Sequence, residues 1–185
     1  MTPLTPQQKT TLLLKVVALA QSQVGVQEIP RYSNAGPQVD AYQAAVGLGS
    51  GNPWCMAFAV WCYVKVLAGL GLHLAQTTLS LTGYVEGQVE HCKSTGTVIS
   101  AGAAADGTAR VLPGYLMCEW EAPLGRYAHT GLVTTGPDAD GVFHTVEGNT
   151  NTDGGREGYE VARQTRNLHD TCADGHPKYC FIMTC

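Results

Sequence analysis

The chain has little charge: Asp, Glu, Lys and Arg together make up 14% of its 185 residues, with a net charge of −4. No cluster of Lys and Arg with interleaved aromatics occurs, so nucleic acid is excluded as an expected partner. Long apolar runs are also lacking, and no stretch reaches the length of a transmembrane span. Internal repeats and low-complexity blocks are absent, which sets aside solenoids and arrays. An even number of cysteines is missing as well. Seven leave at least one thiol unpaired if disulfides form, and an unpaired thiol is a candidate for chemistry.

What is present fits one compact, loop-rich domain over residues 1–185. Apolar residues reach 44%, enough for a core at this length, and 22 glycines imply many turns. Leu12 to Ala20 superficially resembles a signal-peptide core, but Lys15 interrupts it. Leu13, Val16, Val17 and Ala20 fall at helical spacing, so an amphipathic first helix from Thr5 to Gln23 is the preferred reading. A short helix near Val39 to Val46, a strong one from Trp54 to Leu70 and a third from Leu79 to Lys93 follow. The long helix is expected to bury one face carrying Cys55, Phe58, Ala59, Cys62 and Val66. Residues Gly96 to Gly114 read as a loop with short extended pieces. The period then changes, and strands are predicted at Tyr115–Trp120, His129–Thr135, Val142–Glu147, Tyr159–Arg166 and Tyr179–Thr184. Helices first and strands afterwards predict an α+β fold with an antiparallel sheet.

Asn52-Pro53-Trp54-Cys55 ends a turn and opens the long helix, which puts Cys55 in the first turn. Free N–H groups and the helix dipole favour a thiolate there and can hold an oxyanion. The alternative is a buried structural cysteine, the assignment given to Cys62. A nucleophilic thiol needs a base and an orienting group. His129 and His144 lie in the best hairpin. If its turn comprises Gly136 to Asp140, Thr135 faces Gly141, His129 comes opposite Glu147, and His144 projects to the other face. An ordinary strand-edge pair of His129 with Glu147 is the competing account.

Asn52-Pro53-Trp54-Cys55-Met56-Ala57-Phe58-Ala59-Val60-Trp61, His129-Thr130-Gly131-Leu132-Val133 and Glu147-Gly148-Asn149-Thr150, in this order, resemble the CHAP family of cysteine, histidine-dependent amidohydrolases and peptidases, within the papain-like group. The resemblance extends upstream through Val24 to Glu28 and Ser33 to Gly36, and downstream through Gly158 to Arg166. It implies a papain-like fold in which Cys55 is the nucleophile, His129 the base and then the acid, Glu147 the orienting group and Asn149 an accessory polar residue. It further implies an acyl-enzyme route against the peptide part of bacterial peptidoglycan, with no cofactor and no catalytic metal. Two departures stand out. Pro113-Gly114-Tyr115 replaces the Gly-Asp common before the histidine strand, and no acidic loop precedes Cys55, so no calcium dependence is expected.

Further readings remain open. Trp54 and Asn34 are candidate substrate contacts, with Trp61 expected in the core and turn capping as the alternative for Asn34. His169, Cys172, His176 and Cys180 offer a zinc site, a Cys172–Cys180 disulfide, or no special role. Rival functions are an acyltransferase or protein-directed cysteine protease on the same scaffold, and an inactive wall-binding module. The expected setting is cytoplasmic synthesis followed by action in the periplasm or wall, as an injected antibacterial effector or a phage-type lysin. An effector would have a cognate immunity protein as partner.

Overall fold

A computed structural model describes residues 2–152 and 158–185. Among the described residues five α-helices and six strands follow one another as α1 (Pro6–Ser22), α2 (Pro37–Ala44), α3 (Cys55–Gly69), α4 (Val85–Ser94), β1 (Val98–Ser100), α5 (Ala101–Ala105), β2 (Leu116–Glu121), β3 (Arg126–Thr135), β4 (Val142–Thr150), β5 (Glu160–Asn167) and β6 (Tyr179–Ile182). The strands form one sheet in the order β1-β6-β2-β3-β4-β5, and every pairing is antiparallel. The fold is α+β, as the order of periods along the chain predicts.

Helix α1 starts where its sequence dictates. The Thr5 hydroxyl accepts the Gln8 amide while the Gln8 side chain accepts the Thr5 amide, a reciprocal capping box. Its apolar face, Leu12, Val16 and Ala20, packs against α3. Helix α3 differs from expectation in its burial. Every residue from Cys55 to Tyr63 is buried, so this segment has no solvent face. A helix that is apolar all round belongs inside, and α3 lies between α1 and α2 on one side and strands β3 and β4 on the other.

Two apolar clusters lie on either side of the sheet. Leu116, Cys118, Leu132, Val146, Cys180 and Ile182 join the cluster that contains α3, and Met117, Val133, Phe143, Tyr179 and Phe181 belong to the other. This is the alternation that a sheet covered on both faces requires. Close approach of α3 to β4 depends on Gly148, where a Cβ would come within 2.6 Å of the Trp54 ring and 2.9 Å of Phe58. Tyr63 on α3 donates its hydroxyl hydrogen bond to the Gly114 carbonyl and also contacts the Thr184 hydroxyl, at 2.6 Å. A tyrosine from the helix thus fixes the Pro113-Gly114-Tyr115 turn where the resemblance expects an aspartate.

The expected helix from Leu79 is shorter than predicted and starts at Val85. Residues Leu79 to Tyr84 are held as an irregular segment instead. Ser80 bonds the Gln88 side chain through both its amide and its hydroxyl, and the Tyr84 amide bonds the Thr82 hydroxyl. Gly83 packs under Leu48, where a Cβ would come within 2.4 Å of the leucine side chain's end. Side-chain hydrogen bonds of this kind compete with helix formation. Among the described residues no helix is long and apolar enough to cross a membrane.

Candidate active site

Cys55 is the first residue of α3 and Trp54 is its N-cap. The Phe58 amide bonds the Trp54 carbonyl at 2.8 Å, so the amides before it have no partner within the helix and are available to an anion. The approach to this turn is clamped from behind. Buried Gln43 donates to the carbonyls of both Asn34 (2.9 Å) and Asn52 (2.6 Å), and buried Glu28 accepts the Trp54 indole N–H (2.8 Å) and the Asn34 amide (3.0 Å). Cys55 is 5% exposed and lines a cleft of about 330 Å³ together with Asn52, Leu81, Tyr84, Arg126 and Ala128.

His129 and Glu147 are both fully buried, with Nε2 of the imidazole 2.7 Å from Oε2 of the carboxylate. The other ring nitrogen, Nδ1, makes no well-aligned hydrogen bond, although the Cys55 thiol is near enough to interact with the imidazole. Imidazole–thiol bonds are often loose until substrate arrives. Burial alone pushes the His129 imidazole down. Interaction with the nearby Cys55 thiol and with the Glu147 carboxylate outweighs burial and raises it to about 10. Burial alone pushes Glu147 up, and the hydrogen bonds and charges of His129 and Arg166 outweigh it and lower the carboxyl to about 2.

The strand register differs from the predicted one. Leu132 faces Val146 and Val133 faces Thr145, a pairing shifted by two residues from the expected one, with a bulge before the Thr135–His144 pair. Asp138 is the cause: its side chain accepts the amides of Asp140 and Val142, and its carbonyl accepts Gly141, which folds the end of the hairpin into its own tight turn. Counted along this ladder, Gly131 comes opposite Glu147, and His129 is reached diagonally. The expected direct pair is therefore corrected to a diagonal one. His129 and Glu147 still meet because a shift of two residues preserves the face. His144 lies exposed and bonds Thr165, as its opposite parity requires.

Gly131 makes the diagonal contact possible. A Cβ there would come within 2.4 Å of Glu147 Cγ, so the carboxylate side chain crosses β3 over a bare backbone. Gly131→Ala is expected to displace Glu147 from His129, destabilise the fold by ~1–3 kcal/mol and lower catalysis more than binding, checked by thermal melts and by separate kcat and KM values.

Arg166, on β5, went unrecognised as a site residue in the sequence. Its Nε and Nη2 donate to the two oxygens of Glu147 at 3.0 and 2.6 Å, and the Thr145 hydroxyl donates to Oε1 at 2.5 Å. Behind this pair, Glu119 is 3.0 Å from Lys178 and 3.8 Å from Arg166. No local pattern joins Arg166 to Glu147; only the β4–β5 pairing does.

Other predicted residues are placed as follows. Asn149 is buried two residues beyond Glu147, at a bulge and in left-handed backbone, a conformation asparagine tolerates. Trp54 is fully buried and stacked on Tyr42, which removes it as a substrate contact, because its indole serves Glu28. Trp61 is buried as expected. Asn34 is half-buried, lies outside the lining of this cleft and holds a left-handed turn through its backbone. Burial pushes the Cys62 thiol well up, in keeping with a structural role. All seven cysteines are free thiols, so the Cys172–Cys180 disulfide is not formed. Cys180 instead sits buried opposite Cys118 in the β2–β6 ladder. Among the described residues no three potential ligands gather into a metal site.

The pH dependence of stability follows from the two shifts. His129, raised from 6.5 to about 10, contributes stability that is complete below pH 6.5 and lost as pH rises through 10. Glu147, lowered from 4.5 to about 2, contributes stability present above pH 4.5 and lost as pH falls towards 2. Thermal midpoints are expected to be highest between those unfolded values, and Glu147→Gln to flatten both flanks.

No family model matches the chain. No curated protein matches it either. Among solved structures, Ly7917 superposes with a TM-score of 0.46 at 15% identity, covering 92% of this chain and 61% of that one. The chain thus spans about 61% of Ly7917, and a likeness this remote carries no argument.

Proposed function

We propose that the chain is a cysteine amidase or peptidase of papain-like, CHAP type that hydrolyses an amide bond in the peptide part of bacterial peptidoglycan. The observation that carries the reading is Cys55 at the start of a buried helix, in an open cleft and near an imidazole held by a buried carboxylate. The His129 imidazole, acting as base, takes the proton of the Cys55 thiol. The sulfur attacks the carbonyl carbon, a C–S bond forms, and the first-turn amides of α3 receive the oxyanion. The C–N bond then breaks as His129 delivers its proton to the leaving amine, which leaves a thioester. Water attacks the thioester, His129 takes its proton, and the carboxylic acid departs with the thiol restored. Glu147 keeps the ring oriented throughout and balances its charge.

The substrate assignment rests on the motif resemblance, so its test is direct. Purified peptidoglycan is digested and the fragments are weighed by mass spectrometry. New fragments, each bearing a fresh amine or carboxylate, identify the bond. Intact peptidoglycan after incubation with folded protein would reject the assignment.

A further inference from the structure

We propose that Arg126, with Tyr84, forms a carboxylate-binding subsite beside Cys55, so that the enzyme selects amides with a free carboxylate close to the scissile bond. This deepens the hydrolase reading above and rests on it for its biological meaning. Arg126 and Ala128, near the start of β3, both line the cleft that holds Cys55. Among the described residues the rest of the lining is neutral, and Arg126 is its one charged side chain. Its guanidinium lies 5.2 Å from the centroid of the Tyr84 ring, half-buried, while Tyr84 itself is 51% exposed. Stacking of this kind pre-orients the planar fork that recognises a carboxylate by two parallel hydrogen bonds.

That fork is uncommitted. Among the described residues no carboxylate lies within ion-pair distance of Arg126. Glu121 faces it in the β2–β3 ladder without pairing, and the Glu86 carboxylate is engaged 2.7 Å from the Tyr127 amide. A cation left unpaired in an otherwise neutral, partly apolar cleft favours an anion there, because water shields the attraction less than at an open surface. The stem peptide of the cell wall offers such free carboxylates, and their amidated forms do not.

The test uses Cys55 as its own reporter and needs no substrate. Wild type and Arg126→Gln are alkylated with iodoacetate or iodoacetamide, and modification at Cys55 is timed by peptide mass spectrometry. The two reagents differ by a carboxylate, so the ratio of their rates reads attraction at the cleft, and taking it in both proteins cancels the contribution of His129. The ratio is expected to fall at least about fivefold in Arg126→Gln, the scale of one partly screened charge a few ångströms away. Arg126→Lys should restore part of it, and molar salt should lower the wild-type ratio towards that of the glutamine variant. An unchanged ratio in Arg126→Gln, or a wild-type ratio indifferent to salt, overturns the subsite. Failure to cleave peptidoglycan would remove the substrate assignment and leave the alkylation result standing, so the two failures are distinguishable.

Discussion

Cys55→Ala is expected to abolish hydrolysis, by roughly 10⁴-fold or more, while leaving the fold intact. The side chain is buried at the mouth of the cleft, and its loss removes only one sulfur from a position that opens on solvent-accessible space. The thermal midpoint should therefore move little. His129→Ala should cost activity on a similar scale, because nucleophile and base act as a unit and their losses do not add. Its effect on stability should be larger, since it strips one partner from the buried Glu147 carboxylate. Product release measured by amine appearance, alongside melts of each variant, separates these effects. A Cys55→Ala protein that still hydrolyses substrate at an appreciable rate would place the nucleophile elsewhere.

Cys55 was legible because a turn, Asn52-Pro53, and a run without glycine or proline leave one place for a helix to begin. The partnership of His129 with Glu147 was legible for a subtler reason. The turn reading missed the register by two residues, and two is the period of a strand, so the shared face survived the error. The turn itself was not legible, because Asp138 draws its loop closed through side-chain hydrogen bonds that spacing does not reveal. Trp54 was read as a cleft residue for want of its partner. Glu28 lies 26 positions upstream, and only the fold brings its carboxylate to the indole. The irregular segment before α4 escaped for the same class of reason, its helix being cut short by Ser80, Thr82 and a glycine wedged under Leu48.

Arg166→Met is expected to be the most damaging change outside the cleft. Glu147 is fully buried, and in wild type its charge is offset by a two-point contact from Arg166 and by His129. Removing the guanidinium leaves a buried carboxylate with the imidazole as its remaining charged partner, a loss of ~3–5 kcal/mol when one member of a buried pair is taken away. Arg166 bears on the chemistry through Glu147, so it is a positioning residue, and a structural role alone would not alter the pH profile. In Arg166→Met the carboxyl should become easier to protonate, because one of the two cations that lower it is gone. The acid limb of kcat/KM is therefore expected to move to higher pH, with kcat falling more than KM rises. Arg166→Lys keeps the charge but cannot make both bonds, so it should recover stability better than turnover. An unshifted acid limb in a folded Arg166→Met protein would show that Glu147 is held by Thr145 and His129 alone.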